Sequence, residues 1–111
     1  MSRAEFQNFA KDACQSAAKE WPESKWKGFS QLIEYEAMDV TAESADWDAV
    51  KAHLNNDGRP QIYYLATTPL IYVDICKALG KASLNTPNAR LVMEKPIGKD
   101  LASAQAINAG V

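Results

Sequence analysis

Residues that commonly carry catalysis or bind metals are scarce in this sequence. It has one histidine, His53, and two isolated cysteines, Cys14 and Cys76, which form neither a CxxC motif nor a Cys/His group. We therefore expect no metal site, two reduced and partly buried thiols, and a surface position for His53 on the polar face of a helix. No other residue can supply an imidazole base, which limits the acid–base chemistry of the chain alone.

Long apolar runs and charge of one sign are also lacking. No run approaches the roughly 20 apolar residues of a transmembrane helix, and the first residues, MSRAEFQNFAKDA, lack the apolar segment of a signal peptide. The net charge is −2 with no cluster of lysine or arginine, which argues against nucleic acid or an anionic membrane as a partner. With 47% hydrophobic and 23% charged residues, the composition is that of a soluble globular domain, and we expect a cytoplasmic protein.

The sequence does contain a βαβα pattern, from which we predict an α/β fold in one domain over residues 1–111. The predicted strands are 32–38, 62–66 and 91–94. The predicted helices are 3–19, 46–54, one from Pro69 to the stop at Gly80, and one capped by Asp100, with a short helical turn near Trp26. The candidate caps of the second helix are Thr41 and Ser44. Because residues 62–66 are apolar throughout and crossovers are right-handed, we expect a parallel sheet with helices on both faces.

Two strand ends combine small or polar residues with proline. One reads Ala-Thr-Thr-Pro at 66–69, the other reads Glu-Lys-Pro at 94–96, and a helix follows each. Ligands of open parallel sheets bind beyond the carboxyl ends of the strands. If the two strands are neighbours, the two segments should therefore lie side by side at one ligand-binding edge.

Lys95 is the residue of greatest interest at this edge. Its ammonium could hold a phosphate or a sugar hydroxyl, with Pro96 fixing or switching its direction, while Ala66 lets a flat ring approach the backbone. The alternative is that Lys95 is a solvated lysine at a strand end and that Glu94 neutralises it. The pattern alone leaves both interpretations open.

The same residues carry a family resemblance. The segment ARLVMEKPIGKDLASAQAIN, which begins at Ala89, resembles the signature region of the glucose-6-phosphate dehydrogenase family, in which a strand ends in Glu-Lys-Pro and a glycine follows. The block IYYLATTPLIYVDICKALGKASLN resembles the family's strand with an Ala-x-Pro-Pro-like turn. The resemblance is strong from Ile62 to Val111 and looser from Phe29 to Leu54. It implies a partial Rossmann-like domain of an enzyme that oxidises D-glucose 6-phosphate to 6-phosphogluconolactone with reduction of NADP, the first step of the pentose phosphate pathway.

The resemblance implies a substrate-binding role at the second strand end. Lys95 matches the lysine that contacts both the C1 side of glucose 6-phosphate and the nicotinamide half of NADP. Pro96 matches a hinge proline that is linked to communication between the two ligand sites. We therefore expect glucose 6-phosphate and NADP as the ligands of the parent enzyme.

At the first strand end the resemblance implies contacts to the cofactor. Ala66 and Thr67 match the turn whose backbone lines the nicotinamide, and Tyr72 aligns with a position, often aromatic, beside the cofactor. Thr68 stands where many members of the family have proline. Pro69 alone must then set the geometry of the turn.

Two other readings stay open. Inositol-dehydrogenase-like and glucose-fructose-oxidoreductase-like NAD(P) enzymes also end a strand in Glu-Lys-Pro after an Ala-Thr-Pro turn, although the continuation IGKDLASAQAIN and the leading VMEK favour the first family. The second alternative is a stand-alone, non-catalytic module that pairs with a full-length enzyme.

The resemblance covers only an interior part of such an enzyme. The Gly-rich first βαβ unit, which holds the pyrophosphate, would precede residue 1, and the large substrate domain and a histidine base on an Arg-Ile-Asp-His-Tyr strand would follow the last helix. We therefore expect no catalytic residue in this chain and no dehydrogenase activity from it alone. Residues 32–38 would lack their native neighbour, so we expect the exposed strand edges either to self-associate or to pair in a rearranged sheet.

Overall fold

The computed structural model describes residues 1–17, 20–55 and 57–111. Within these ranges the elements are α1 (Arg3–Ala17), α2 (Glu23–Ser30), α3 (Trp47–His53), β1 (Gln61–Leu65), α4 (Tyr72–Lys81), β2 (Ala89–Met93) and α5 (Leu101–Gly110). A 3₁₀ turn, Pro69–Ile71, leads into α4. The chain divides into two compact units, Met1–Met38 and Asp39–Val111. The order of helices and strands confirms the predicted α/β class.

The first unit consists of α1, α2 and the segment that follows them. The ring of Phe6 on α1 stacks on Tyr35 with ring centroids 4.8 Å apart. On α2, a full helix where a short turn was predicted, Trp26 is buried and packs edge-on against Phe29. Aromatic contacts of this kind hold small units together because each ring buries a large apolar area. Helix α1 ends at Ala17, and the last two residues of the predicted helix, 18 and 19, lie outside the described residues.

Residues 32–38 form no strand, so this prediction is wrong. All seven residues are described, and none is part of a ladder. Side chains of α1 use the backbone acceptors instead: the Arg3 guanidinium donates to the carbonyls of Ile33 at 3.2 Å and Gln31 at 3.3 Å, and the Gln7 amide also donates to Ile33 at 3.2 Å. Alternating apolar residues favour a strand, but a strand also needs a neighbouring chain segment to pair with its backbone.

The second unit is built on a two-stranded parallel sheet. Strands β1 and β2 pair in register from Gln61 opposite Ala89 to Leu65 opposite Met93. Helix α4 connects them along the chain, as a parallel pair requires. Two of the three predicted strands are therefore confirmed, with ends that shift by one or two residues.

One face of this sheet carries the core of the second unit. Leu65 of β1 packs there against buried residues of α4 and the following loop, namely Tyr72, Ile75, Leu79, Ala82 and Leu84. On the opposite face Ile62, Tyr64 and Val92 are 67%, 57% and 38% exposed. In the part of the chain that the structure describes, helices thus cover one face only, and the prediction of two covered faces is wrong. Residues on both faces of β1 are apolar and favour a strand. Successive side chains point to opposite faces, and only those on the core face are covered here.

The ends of α3 and α4 differ from the predicted ends. Asp46 caps α3, rather than Thr41 or Ser44, because it directly precedes the first helical residue and its carboxylate accepts from the Ala49 amide at 3.1 Å. Helix α4 continues through Gly80 to Lys81. The left-handed residue that ends it is Ser83, with φ of 58°.

A Schellman motif explains how α4 ends without glycine at that position. The Ser83 amide donates to the Gly80 carbonyl at 3.0 Å, and the Leu84 amide donates to the Leu79 carbonyl at 2.9 Å. Both leucines are buried, so their apolar contact accompanies the two hydrogen bonds. These interactions offset the cost of a left-handed serine.

Candidate functional site

The carboxyl ends of β1 and β2 lie side by side. Leu65 and Met93 are the last paired residues of the sheet. The segments 66–69 and 94–96 therefore leave the sheet at the same edge, as the strand-exit interpretation requires.

Tyr72 ties the two strand ends together from the core side. It is the first residue of α4, and its side chain is 0% exposed. Its hydroxyl donates to the Glu94 carbonyl at 3.0 Å and lies 3.5 Å from the Leu65 carbonyl. Tyr72 thus lies in the core beneath the exits, where it fixes the backbone of the residue that precedes Lys95.

Tyr64 contacts the same residue from the open face of the sheet. Its hydroxyl donates to Oε1 of Glu94 at 2.6 Å. This hydrogen bond to a carboxylate raises the pKa of the Tyr64 phenol, with smaller contributions from burial and from the negative charge of Glu94. Glu94 is therefore held at two points, its carbonyl by Tyr72 and its carboxylate by Tyr64.

Tyr64 was not among the residues predicted from the sequence. Its partner in the register is Val92, and Glu94 lies two residues after Val92, just beyond the end of β2. Once β1 and β2 are paired in parallel, a tyrosine at position 64 can reach a carboxylate at position 94. The alternation of apolar and polar residues does not predict this contact, because the sequence of a single strand does not determine its register with a neighbouring strand.

Lys95 is exposed beyond the end of β2. Within residues 1–17, 20–55 and 57–111, no side chain forms an ion pair or hydrogen bond with its ammonium. Glu94, the neutralising partner in the alternative interpretation, instead bonds to Tyr64. The Lys95–Pro96 peptide bond is cis. The site therefore presents a cation whose nearest carboxylate in sequence is engaged elsewhere.

The exit of β1, next to that of β2, presents a small side chain. Ala66 and Thr67 are exposed, so a flat ring can approach the backbone at Ala66. The Thr68 hydroxyl accepts from the Leu70 amide at 3.5 Å, and Pro69 occupies the start of the 3₁₀ turn, where its missing N–H costs little. A small exposed residue at one strand exit and an exposed lysine at the other therefore lie at the same edge of the sheet.

The loop after Pro96 is anchored on the start of α5. Asp100 caps this helix as predicted: its carboxylate accepts from the Ser103 amide at 2.8 Å, and the Ser103 hydroxyl accepts from the Asp100 amide at 3.1 Å. Hydrogen bonds to the carboxylate from the Ser103 amide and then from the Ser103 side chain lower the pKa of the Asp100 carboxyl. The Lys99 amide also donates to the Ser103 hydroxyl, at 2.8 Å. The chain that carries Lys95 thus has a fixed attachment on each side.

Gly98 brings this loop close to α5. Its φ is 87°, and a Cβ built on it would lie 2.6 Å from the backbone nitrogen of Ala104 and 2.8 Å from the Ser103 hydroxyl. A left-handed conformation and a close approach to backbone both favour glycine. The backbone alone therefore requires glycine at position 98, whether or not a ligand binds nearby.

Other chemistry-bearing residues lie away from the strand exits. His53 is exposed at the end of α3, and Cys76 is half-buried on α4, where burial raises the pKa of its thiol. A groove of about 720 Å³ lies between residues 41–48 and α4, and none of its lining residues belongs to the exits. Among the described residues, no His, Cys, Asp and Glu side chains gather in threes as a metal ion would need, and no helix has the length and apolarity to cross a bilayer.

The fold and the site together define a class of protein. It is a parallel α/β unit of dinucleotide-binding type, with a lysine–proline pair and an alanine–threonine turn at neighbouring strand ends. The family model described as "Glucose-6-phosphate dehydrogenase, NAD binding domain" matches residues 1–111. The chain belongs to the glucose-6-phosphate dehydrogenase family, and this match confirms the first of the two family resemblances.

Individual relatives agree with the family match. The glucose-6-phosphate 1-dehydrogenase of Rhizobium meliloti is 37% identical over 111 residues, which cover 97% of this chain and 22% of that protein. The enzyme of the same name from Gluconobacter oxydans is 42% identical over 85 residues, which cover 75% of this chain and 17% of that protein. The crystal structure of glucose-6-phosphate 1-dehydrogenase from Mycobacterium avium matches with a TM-score of 0.86 at 27% identity, over 99% of this chain and 23% of that one. The chain thus spans about a fifth of the length of these relatives.

Proposed function

We propose that these 111 residues are part of an NADP-dependent glucose-6-phosphate dehydrogenase. The complete enzyme oxidises D-glucose 6-phosphate to 6-phosphogluconolactone, the first step of the pentose phosphate pathway, and passes a hydride to NADP. These 111 residues supply part of the dinucleotide-binding domain of that enzyme. By itself it has no dehydrogenase activity. A match along all 111 residues supports this assignment.

Lys95 is the proposed contact to both ligands. One observation carries this role: the Glu94 carboxylate bonds to Tyr64, while Lys95 is exposed at the end of β2, next to the end of β1. The ammonium holds the C1 side of glucose 6-phosphate and the nicotinamide half of NADP. Pro96 acts as the hinge between the two ligand sites.

Ala66 and Thr67 form the proposed cofactor side of the cleft, whereas Tyr72, which the resemblance placed beside the cofactor, is fully buried. The backbone at Ala66 and Thr67 lines the nicotinamide, which is supported by the exposure of both residues. Tyr72 acts from beneath, because its buried hydroxyl holds the two strand ends together. It is a positioning residue rather than a direct contact.

A substitution in the full-length protein tests the role of Lys95. We expect Lys95→Ala to lower turnover of glucose 6-phosphate and NADP by about 100-fold or more, the effect of removing one positioned charge from a transition state. Lys99→Ala is the matched control, since it removes an exposed lysine from the same loop. Turnover of Lys95→Ala within about twofold of the wild type, under roughly 0.5 kcal/mol, contradicts the proposal.

We further propose that the protein is cytoplasmic and that the 111-residue chain self-associates through its exposed strand edges. A relative from Arabidopsis thaliana, 29% identical over 96 residues, carries the name "Glucose-6-phosphate 1-dehydrogenase 6, cytoplasmic". Exposed apolar residues on the open face of the sheet, Ile62, Tyr64 and Val92, support association of the isolated 111-residue chain with further copies.

A further inference from the structure

The contact between Tyr64 and Glu94 crosses from β1 to β2 at the ligand edge of the sheet. It is 2.6 Å long and joins two exposed side chains. A hydrogen bond from a hydroxyl to a carboxylate is among the stronger hydrogen bonds in proteins. Its position matters because the next residue along the chain is Lys95.

The Glu94 carboxylate could pair with the Lys95 ammonium or with the Tyr64 hydroxyl. Only the second pairing leaves the ammonium available to a ligand. Beside an ammonium one residue away, a freely moving carboxylate spends part of its time as the counter-ion of that ammonium. Tyr64 instead binds the carboxylate over the open face of the sheet, and Tyr72 holds the Glu94 carbonyl from the core side at 3.0 Å. The backbone and the side chain of Glu94 are thus both restrained.

We propose that Tyr64 is a positioning residue, which holds the Glu94 carboxylate away from Lys95 so that the ammonium stays available to an anionic or hydroxyl-bearing ligand. This inference rests on the proposed function, because it requires that Lys95 binds a ligand. It adds a residue for which neither the strand-end motif nor the family resemblance supplied a role.

The test compares three variants of the full-length protein by the dissociation constant for NADP and by KM for glucose 6-phosphate. In Tyr64→Phe the Glu94 carboxylate is released and competes for Lys95. We expect the dissociation constant or KM to rise about tenfold, the effect of weakening one charged hydrogen bond. Tyr63→Phe is the matched control, because it removes a hydroxyl from the preceding residue of β1. The Tyr63 hydroxyl donates to the Gln61 side chain at 3.2 Å, on the core side of the sheet.

The double variant Tyr64→Phe/Glu94→Gln distinguishes positioning from packing. Removing the charge of residue 94 removes the competitor, so we expect the double variant to bind at least fivefold more tightly than Tyr64→Phe alone. A merely structural role for Tyr64 predicts no such rescue. The loss in Tyr64→Phe should also shrink at high salt, since the competing attraction is electrostatic.

Each outcome either supports or overturns the proposal. Unchanged binding in Tyr64→Phe overturns it, and so does a double variant that binds as weakly as the single variant. Failure of the proposed function is a separate result, because it requires Lys95→Ala to bind and turn over normally. If Lys95→Ala is crippled while Tyr64→Phe behaves like Tyr63→Phe, only the positioning role is lost.

Discussion

At the scale of single residues, the strand exits are organised around Glu94 rather than Lys95. Glu94 accepts hydrogen bonds from two tyrosines on opposite faces of the sheet, one to its backbone and one to its side chain. These two hydrogen bonds restrain the residue that directly precedes Lys95. The proposed role of Lys95 therefore depends on two tyrosines for which no contact with its ammonium is observed.

The buried hydroxyl of Tyr72 should contribute measurably to stability. We expect Tyr72→Phe to lower the free energy of unfolding of the 111-residue chain by about 1–2 kcal/mol, because the Glu94 carbonyl loses its donor at a part-buried position. Urea denaturation measures the change. Tyr63→Phe, whose hydroxyl bonds to a side chain that water can replace, should cost less; equal losses in the two variants would argue against the tie between the strand ends.

At the scale of elements, the loop between β2 and α5 depends on local backbone chemistry. Gly98 occupies a left-handed conformation against the start of α5, and Asp100 and Ser103 cap that helix reciprocally. Both features are readable from sequence, since glycine and the Asp-x-x-Ser spacing are turn and cap signals. What the sequence does not contain is how close Gly98 comes to Ala104.

A pair of glycine substitutions separates backbone strain from steric overlap. Gly58→Ala places a side chain at φ of 80° in open space, whereas Gly98→Ala places one at φ of 87° against the Ala104 backbone. We expect about 1 kcal/mol of destabilisation for the first and about 2–4 kcal/mol for the second, since overpacking adds to the strain. Thermal or urea unfolding of both variants measures the difference. Similar losses would mean that the loop moves aside freely.

The cap of α5 predicts a pH dependence of stability. Hydrogen bonds from Ser103 hold the pKa of the Asp100 carboxyl below its ordinary value of 3.8. Its stabilising effect is therefore complete above that value and is lost as the pH falls through the lower folded-state pKa. We expect the free energy of unfolding to decline as the pH falls below about 3.8, and Asp100→Asn, which caps without ionising, to reduce that decline. An unchanged pH profile in Asp100→Asn would show that the carboxylate has no special role.

At the scale of the whole molecule, the sequence predicted the strands that are marked by their own apolar residues. It did not predict features that depend on how one strand pairs with another. The apolar runs at β1 and β2 identified both strands and the ligand edge. Residues 32–38 carry an alternating pattern too, yet among the described residues no strand pairs with them, and the Ile33 carbonyl accepts hydrogen bonds from Arg3 and Gln7 instead. The Tyr64–Glu94 contact escaped prediction for a related reason, since it depends on the register between two strands.

The open face of the sheet predicts self-association of the 111-residue chain. Ile62 is 67% exposed on this face, so Ile62→Lys should weaken association without disturbing the core. Sedimentation velocity at increasing concentration measures the effect. Leu70→Lys is the control, because Leu70 is 76% exposed on the 3₁₀ turn outside the sheet. A wild-type chain that stays monomeric at all concentrations would contradict the prediction.

The central claim is that the Lys95 ammonium lies at the edge of a cleft shared by a sugar phosphate and a nicotinamide dinucleotide. A crystal structure of the full-length protein with glucose 6-phosphate and NADP bound tests it most directly. We expect the Lys95 Nζ to lie within about 3 Å of an oxygen of the sugar. We also expect the nicotinamide ring to lie beside it, packed against Ala66 and Thr67. An ammonium directed into bulk solvent, with both ligands bound elsewhere, would contradict it.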